Sequence, residues 1–312
     1  MNVTPRFTAV LLAMAAAAQP LAAQRGAQTA PQPGTIEETI PPGANFDKAN
    51  FRLWTPPNVK HVQAVVVLVP GSNGDGRSMA ADTAWQAFAT RHDLALVACQ
   101  ITDKPHDQNF IEEYVNVGKG SGQALLDALT SLGKRSSHPE IGTAPIFLWG
   151  MSAGGEFDYE FVAWKPERVL AFVVNKGGIY YTALAPLGAR NTPGLLFIGG
   201  KDLDSRVQMI TGLFAVNRRA GALWALTEEP SAAHVVGRSR DLGIMFFEDV
   251  LALRMGDPLK TLSDKNGFLG DIRAKTVQPF GDTRNATSMA WLPTERIAKA
   301  WQAVVTDKPF DQ

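Results

Sequence analysis

Ile146-Phe-Leu-Trp-Gly-Met-Ser-Ala-Gly-Gly155 joins a short apolar run to a serine enclosed by glycines. The apolar run is typical of a buried strand, and the serine lies in the pattern G-x-S-x-G, which occurs where a sharp turn connects a strand to a helix. Such a turn brings strand and helix so close that the residues two before and two after the serine must lack a Cβ atom. Gly150 and Gly154 meet this requirement. The pattern therefore predicts that Ser152 stands exposed on a strained turn.

The residues after this turn have the spacing of a helix. Phe157, Phe161 and Trp164 recur at intervals of four and three residues, so a helix here would bury one face against the sheet. Its N-terminus would point at Ser152 and favour a negative charge there. A chain with 28 glycines also forms G-x-S-x-G in ordinary tight turns, so a catalytic role for the serine depends on finding its partners elsewhere.

Length and charge limit the classes of function. The chain has 312 residues, 45% of them hydrophobic and 19% charged, which is ordinary for a globular protein with a large core. Its 30 Lys and Arg residues balance 30 Asp and Glu residues, so no net field favours nucleic acid or an anionic membrane surface. We expect a small or neutral substrate as the partner, with no nucleic acid and no membrane. The composition indicates no oligomeric state.

The N-terminal residues have the composition of an export signal. Arg6 precedes an apolar run over residues 7–18, and Leu21-Ala-Ala23 has the small residues of a cleavage site. We therefore predict a signal peptide over residues 1–23, cleaved near Ala23, and a secreted or periplasmic mature protein. The alternative is a retained N-terminal anchor, although the apolar run is too short to span a bilayer.

Cys99 is the only cysteine, so the chain cannot form an intrachain disulfide. It lies in the apolar run Leu94-Ala-Leu-Val-Ala-Cys99, which indicates a thiol buried in a strand rather than a nucleophile. Stability must therefore come from the hydrophobic core.

The character of the sequence changes twice after the signal peptide. Residues 24–45 are rich in Pro, Gly, Gln and Thr and are expected to form a flexible leader. Residues 46–256 alternate between apolar strands and amphipathic helices and are expected to form one catalytic domain. Residues 257–312 hold scattered apolar residues such as Trp291 and Trp301 among polar turns, with no strong strand. A tail packed on the domain fits them better than a separate core.

The alternation within residues 46–256 predicts the fold class. Unbroken apolar strands separated by helices indicate an α/β fold with a mostly parallel, doubly wound sheet and helices on both faces. Active sites in such sheets lie at the carboxyl ends of the strands. The predicted strands are Phe51–Thr55, an edge strand stopped by Pro56-Pro57, and then Ala64–Val69, Leu94–Cys99, Pro145–Trp149, Val169–Val174, Gly194–Ile198 and Ala222–Leu226. Besides the helix after Ser152, helices are predicted near Met79–Arg91, Lys119–Leu132, Ser205–Ala220 and Arg240–Arg254.

The segment between the predicted strands 169–174 and 194–198 lacks a clear crossover helix. It leaves a strand at the catalytic edge of the sheet and must cross over near the site, though it is too short to fold as a lid domain. Tyr180 and Tyr181 in this insert are expected to present flat, amphipathic surfaces to an aromatic or sugar-bearing substrate. The alternative is that both tyrosines only pack the crossover.

Pro70-Gly-Ser-Asn-Gly-Asp-Gly76 follows the predicted strand Ala64–Val69, and its glycines allow the backbone to turn amides inward. The loop lacks the lysine of a P-loop and the spacing of a dinucleotide fingerprint, which disfavours a nucleotide site. We interpret it as an oxyanion loop. There the amide of Ser72, with Asn73 as the alternative, would act together with the Ala153 amide that follows the serine. An ordinary turn is the other interpretation.

The serine needs a base, because a seryl hydroxyl is almost fully protonated at neutral pH. The usual base is a histidine oriented by a carboxylate. In a sheet of this kind the partners follow in the order Ser, acid, His, and His234 is the only one of the five histidines that lies after Ser152. A surface histidine without a function is the alternative.

Gly199-Gly-Lys-Asp-Leu-Asp204 follows a predicted strand and supplies two candidate acids. Asp202 lies closer to the strand end and is preferred. Asp204 is the alternative acid, although it also suits an ion pair with Arg206 or the N-cap of the next helix. The pair Glu228-Glu229, at the end of the neighbouring strand, is less favoured.

Taken together, four motifs in this order resemble the α/β-hydrolase superfamily. The arrangement is similar to the branch that contains dienelactone hydrolases, feruloyl esterases and polyhydroxybutyrate depolymerases. The resemblance covers about residues 50–256 and is specific to the superfamily but not to a substrate. The motifs are Pro70-Gly-Ser72, Gly150-Met-Ser-Ala-Gly154, Gly199-x-x-Asp202 and His234.

The resemblance implies a serine hydrolase that cleaves a small-molecule or glycan-linked carboxylic ester, without a metal or organic cofactor. Ser152 would be the nucleophile, His234 the base and Asp202 the acid. Two alternatives stay open, namely a serine peptidase of the same fold and a noncatalytic hydrolase-like binding protein. Pro70 replaces the histidine that often precedes the oxyanion-loop glycine. The missing disulfide and binding module disfavour the degradation of a polymer.

Overall fold

The computed structural model describes residues 34–108, 111–281 and 285–310. Their strands form one sheet of eight strands and one of three. The main sheet contains β1 Thr35–Ile40, β2 Lys48–Trp54, β3 Ala64–Val69, β4 Leu94–Thr102, β5 Ile146–Met151, β6 Val169–Asn175, β7 Gly194–Gly199 and β8 Trp224–Glu229. The small sheet contains β9 Phe268–Asp271, β10 Thr276–Pro279 and β11 Ala290–Leu292.

The helices that the sequence pattern predicted begin and end close to their predicted positions. Where residues are described, no helix is both long and apolar enough to cross a membrane. The α-helices are α1 Thr83–Arg91, α2 Ser121–Arg135, α3 Ala153–Trp164, α4 Leu187–Arg190, α5 Asp204–Arg219, α6 Ser239–Arg254 and α7 Glu295–Val305. Two of these helices, α4 and α7, were not predicted. The first part of the segment predicted as helix 79–91 is a separate 3-10 turn, because Asp82 caps α1 by accepting the N–H groups of Ala84 and Trp85.

The main sheet has the strand order β1-β2-β4-β3-β5-β6-β7-β8. From β4 to β8 all neighbouring strands are parallel, and β2 runs antiparallel to both of its neighbours. The prediction of a mostly parallel sheet is therefore confirmed. Because the strands run in one direction, the carboxyl ends of β3, β5, β6, β7 and β8 open on the same edge of the sheet.

The expectation of a flexible leader over residues 24–45 is wrong for its described half. Residues 35–40 form β1, which pairs along its whole length with β2, so the predicted edge strand Phe51–Thr55 is an interior strand. Ile36 and Ile40 pack against the core, and this apolar contact outweighs the polar composition around them. The signal peptide and the rest of the leader lie outside the described residues.

The core has two halves, one on each face of the main sheet. Along β3, Val65, Val67 and Val69 point to the face covered by α2, α3 and α5, and the alternate residues point to the face covered by α1, α6 and α7. Cys99 is fully buried in the first half, as predicted. Its thiol donates a weak hydrogen bond to the Leu68 carbonyl oxygen at 3.6 Å.

The C-terminal residues contain strands that the sequence pattern did not predict. Strands of three and four residues are too short to establish a period, so β9, β10 and β11 were missed. Together with α7 they pack on the second half of the core. The side chain of Trp301 donates a hydrogen bond to the Leu226 carbonyl oxygen at 2.9 Å, and Arg218 donates to that of Met289 at 2.8 Å.

The insert between β6 and β7 contains the single turn α4 in place of a long crossover helix. Buried polar side chains from two neighbouring helices hold its backbone instead. Glu160 of α3 accepts two backbone N–H groups of the insert at 2.8 and 2.9 Å. Asn217 of α5 accepts one N–H and donates to one carbonyl, both at 2.8 Å. The insert is therefore fixed to the domain and shapes the site beside it.

One buried carboxyl has no evident structural partner. Asp158 lies on α3 with no solvent exposure, and neither of its oxygens forms a hydrogen bond with a described residue. Burial raises its pKa well above the ordinary value, so the folded protein keeps this carboxyl neutral. In the unfolded chain this carboxyl has its ordinary pKa of about 3.9. Its contribution to stability is therefore complete below that pH and is lost as the pH rises.

We predict that Asp158→Asn changes the pH dependence of stability. Between the pKa of the unfolded chain and that of the folded protein, the folded state binds one more proton. The free energy of unfolding therefore falls by about 1.4 kcal/mol for each unit by which the pH rises. The variant lacks this slope, so its stability relative to wild type rises from pH 5 to pH 8 in urea unfolding. Asp127→Asn removes an exposed carboxylate from α2 and controls for net charge. A constant difference between Asp158→Asn and wild type across this range would contradict the prediction.

Candidate active site

Ser152 lies on the predicted turn between β5 and α3. Its backbone has φ 55° and ψ −126°, a conformation that non-glycine residues seldom adopt. A Cβ atom at Gly150 would overlap the backbone of Gly154, and one at Gly154 would overlap the Val69 carbonyl. The two glycines therefore allow strand, loop and helix to approach, as the sequence pattern indicated. The strain at the serine is held by packing on both sides.

The glycine-rich loop after β3 lies beside this turn. A Cβ atom at Gly71 would stand 3.5 Å from that of Ser152, so the loop passes directly over the serine. Neither the Ser72 N–H nor the Ala153 N–H forms a hydrogen bond with any described residue. Both amides are therefore free to donate to a ligand next to the serine.

The structure brings Asp202 and His234 together. The Oδ2 atom of Asp202 lies 2.8 Å from Nδ1 of His234, although 32 residues separate them in the chain. The other carboxylate oxygen accepts the Leu203 N–H at 2.8 Å and a guanidinium N–H of Arg206 at 3.1 Å. Burial alone would raise the pKa of Asp202, but the hydrogen bond from His234 and these donors outweigh it and lower the pKa. The carboxylate is therefore ionised and fully engaged.

Asp204, the alternative acid, is exposed at the first residue of α5. The structure does not bring it to His234, and it neither caps the helix by its side chain nor pairs with Arg206, whose carboxylate partner is Asp202. Its place in the first turn suits the positive end of the helix dipole.

Asn175 connects the serine turn to the loop that carries His234. This loop comprises residues 230–238 and is called the histidine loop below. Its carbonyl oxygen accepts the Ser152 N–H at 2.8 Å. Its side-chain amide donates to the carbonyl oxygens of Val236 and Val235, at 3.1 and 3.4 Å, and these residues follow His234 directly. One fully buried residue at the end of β6 thus fixes both loops.

A buried ion pair lies next to this asparagine and was not predicted. Lys176 is fully buried, and its ammonium group donates to the Glu229 carboxylate and, at 3.0 Å, to the side chain of Asn175. The second Glu229 oxygen accepts the Arg238 N–H at 2.6 Å, and Gly237 passes so close that it has no room for a Cβ atom. We call these three residues, Asn175, Lys176 and Glu229, the buried polar cluster. It holds both ends of the histidine loop.

A cleft of about 660 Å³ opens at the serine. The glycine-rich loop after β3, α3, the insert and the start of α5 contribute to its walls, which are more apolar than polar. Among the described residues lining it are Ser72, Ser152, Ile179, Leu203, Arg206 and Met209. Leu203 and Met209 are exposed, so the rim itself is apolar.

Two carboxyl groups that the sequence pattern gave no reason to select also line this cleft, Glu112 and Glu156. Glu156 follows Ser152 by one helical turn and accepts the Gly178 N–H at 2.5 Å. Burial raises the pKa of Glu156 to about 7. The hydrogen bond from the Gly178 N–H acts to lower this pKa, and the nearby charge of Glu112 acts to raise it. The serine therefore faces an unusually acidic wall.

The expectation that Tyr180 and Tyr181 bind substrate fails for Tyr180. Its hydroxyl is buried, and its ring packs edge-to-face against Tyr159 with the centroids 5.1 Å apart. Tyr180 therefore packs the crossover, because the insert turns this side chain toward α3. Tyr181 is exposed and lines a neighbouring groove together with Asn116 and Lys119. Within the described ranges, neither tyrosine lines the cleft at Ser152.

No metal ligands accompany the site. In the part of the chain that the structure describes, no three His, Cys, Asp or Glu side chains lie close enough together to hold a metal ion. The tryptophans of the C-terminal tail, Trp291 and Trp301, are buried and are not among the residues that line the cleft.

We predict that Lys176→Met lowers the free energy of unfolding by about 3–5 kcal/mol, because it leaves the Glu229 carboxylate buried without its counter-ion. Replacing both partners, as in Lys176→Met with Glu229→Gln, removes the unpaired charge and should cost less than Lys176→Met alone. Urea unfolding of the two single variants and the double variant measures this coupling. Additive losses would mean that the pair does not interact.

No family model and no curated protein matches the sequence. Solved structures do resemble its fold. A ferulic acid esterase has a TM-score of 0.52 and 12% identity, over 70% of this chain and 98% of its own. The poly(3-hydroxybutyrate) depolymerase of Bordetella parapertussis has a TM-score of 0.50 and 18% identity, over 72% of this chain and 90% of its own.

Poly(aspartic acid) hydrolase-1 from Sphingomonas sp. KT-1 is similar to the same extent, with a TM-score of 0.50 and 14% identity, over 70% of this chain and 99% of its own. Two of the three structures come from the branch that the sequence motifs resemble. Identities this low establish the fold and nothing finer. The chain has the α/β-hydrolase fold.

Proposed function

We propose that this protein is a serine hydrolase that cleaves a carboxylic ester through an acyl-enzyme formed on Ser152. The observation that carries the proposal is the hydrogen bond of 2.8 Å between Asp202 and His234 at the sheet edge where the strained serine lies. A nucleophile, a base and an orienting carboxylate at one edge are the parts that acyl transfer requires. The ferulic acid esterase and the poly(3-hydroxybutyrate) depolymerase with the same fold support the choice of an ester.

His234 acts first as a base and then as an acid. It takes the proton of the Ser152 hydroxyl as the oxygen attacks the substrate carbonyl, and the carbonyl electrons move onto the oxygen. When this intermediate collapses, the alcohol departs with the proton from His234. A water molecule then repeats the sequence on the acyl-enzyme and releases the acid. Asp202 keeps Nδ1 of the imidazole protonated, so that Nε2 is free to accept the proton.

The amides of Ser72 and Ala153 stabilise the negative oxygen of the intermediate. Neither N–H is engaged with another described residue, and Ala153 is the first residue of α3, where the helix dipole favours negative charge. Side-chain substitutions at these positions leave the amides in place. The rate of acylation therefore depends on the path of the Gly71 loop rather than on the side chain of Ser72.

Export is the second part of the proposal. It is supported by the sequence of residues 1–23, which lies outside the described part of the structure. N-terminal sequencing of the protein secreted by its native host tests it. A mature chain that begins near Gln24 supports export with cleavage, and a chain that keeps residues 1–23 contradicts it.

We predict that Ser152→Ala abolishes labelling by a fluorophosphonate and lowers ester turnover by several orders of magnitude, because it removes the atom that carries the acyl group. A panel of p-nitrophenyl esters and peptide anilides measures turnover and separates an esterase from a peptidase. Far-UV circular dichroism checks the fold. Wild-type protein that neither labels nor turns over any ester would instead favour a noncatalytic binding protein.

We predict that substitutions of the two aspartates in the loop after β7 differ sharply in their effect on kcat. Asp202→Asn lowers kcat by about 10⁴, because the amide no longer selects the productive imidazole tautomer. Asp204→Asn is the matched control, two residues further along the chain at the exposed start of α5. Its kcat should stay within about twofold of wild type, as is usual for a surface substitution. Steady-state kinetics on one p-nitrophenyl ester decides. A large loss in Asp204→Asn would move the orienting role to that residue.

A further inference from the structure

Glu112 carries a buried carboxylate that has no partner among the described residues. Its side chain lines the cleft next to Ser152, and the residue is 8% exposed. Its carboxylate forms no hydrogen bond and no ion pair with any described residue. Burying a charge without a counter-charge costs free energy. A ligand that supplies a counter-charge to a carboxylate in the wall of a cleft therefore gains binding free energy.

Glu156 adds a second carboxyl to the same wall. It follows Ser152 by four residues, which places it about 6 Å further along the axis of α3. Its bond to the Gly178 N–H fixes one oxygen against the insert. Glu112 lies close enough for its charge to raise the pKa of Glu156 further, after the larger effect of burial. The two groups therefore form one acidic wall at a defined distance from the nucleophile.

The cleft offers no free cation to this wall. Of the described residues that line it, Arg206 is the one with a positive charge, and its guanidinium donates to Asp202 at 3.1 Å. Lys176 is buried below the histidine loop and is paired with Glu229. Both positive charges are thus paired with other carboxylates, and no described residue forms an ion pair with Glu112. Arg206 acts on Glu156 only as a nearby charge that lowers its pKa.

We propose that the cleft binds esters whose acyl or alcohol part carries a positive charge, such as an alkylammonium group, held by Glu112 and Glu156. This substrate class rests on the proposed ester hydrolysis at Ser152. An anionic substrate would meet repulsion from the wall. A hydroxyl group would donate a hydrogen bond but leave the charge of Glu112 uncompensated, whereas an ammonium group supplies both the hydrogen bond and the counter-charge.

Matched substrates test the acyl side. The p-nitrophenyl esters of 6-aminohexanoic, 6-hydroxyhexanoic and heptanoic acid have the same length and differ at the terminal group. The alcohol side is tested by the isosteric acetates of choline and 3,3-dimethylbutanol. We expect kcat/KM to favour the cation by about tenfold or more in at least one set, as is usual for close charge pairs. Preference for the neutral or the hydroxyl ester in both sets would overturn the inference.

Variants test whether the acidic wall causes the preference for a cationic substrate. Glu112→Gln should reduce the ratio of cationic to neutral kcat/KM by about tenfold. Glu113→Gln is the matched control, because it removes the same charge from the exposed neighbouring residue. Its ratio should stay at the wild-type value. A cation preference that survives in Glu112→Gln, or that falls equally in Glu113→Gln, would exclude Glu112 as the binding group.

The pH dependence of the same ratio reports on Glu156. Its pKa of about 7 means that the wall gains negative charge between pH 6 and pH 8, so the preference for the cation should rise over this interval. Glu112 opposes this ionisation, Arg206 favours it, and the buried Tyr180 hydroxyl stays neutral because burial raises its pKa. Glu156→Gln should give a flat ratio; a rise that persists would exclude Glu156.

A binding measurement separates this inference from the proposed reaction. Calorimetric titration of the Ser152→Ala protein with hexylammonium and with 1-hexanol requires no turnover. Tighter binding of the cation by about tenfold, lost in Ser152→Ala with Glu112→Gln, supports the acidic wall even if no ester is cleaved. Equal binding of both compounds, together with turnover of neutral esters by the wild type, would overturn the substrate class and leave the hydrolase intact.

Discussion

The ion pair between Lys176 and Glu229 is the interaction on which the geometry of the site depends. Two charges out of water tolerate little displacement, because each loses its compensation when they separate. The lysine follows β6, and the glutamate ends β8 and binds the backbone at Arg238. The residues between Glu229 and Arg238, including His234, are held in place by these contacts. An apolar pair would fill the same space but would hold the loops in no particular register.

This arrangement explains how a site without metal ligands or disulfides among its described residues stays ordered. Buried polar atoms connect the turn after β5, the residues at the end of β6 and the loop after β8. Asn175 contributes its carbonyl to the serine turn and its amide to the histidine loop. The strained backbone of Ser152 persists because such contacts, together with close glycine packing, leave no easier conformation.

The sequence was sufficient to predict the fold class. It also made Ser152, Asp202 and His234 candidates for the site, because each has a local signal: a motif, a strand end or a place in the chain order. Lys176 and Glu229 have none, since 53 residues separate them and each alone resembles a surface charge. Glu112 follows no motif either. Strand β1 was missed because prolines surround its short pattern, and Tyr180 was assigned to the wrong surface because sequence does not determine where an irregular segment turns its side chains.

The last helix has a consequence for how the chain reaches its native state. Trp301 of α7 bonds to β8, and β11 and α7 help cover one face of the main sheet. A nascent chain that still lacks α7 therefore exposes apolar surface and cannot complete its core, although all residues of the site have already been synthesised. Folding can therefore be completed only after α7 has been synthesised. For a chain proposed to leave the cytoplasm, this late closure keeps the polypeptide available to an export pathway that carries unfolded chains.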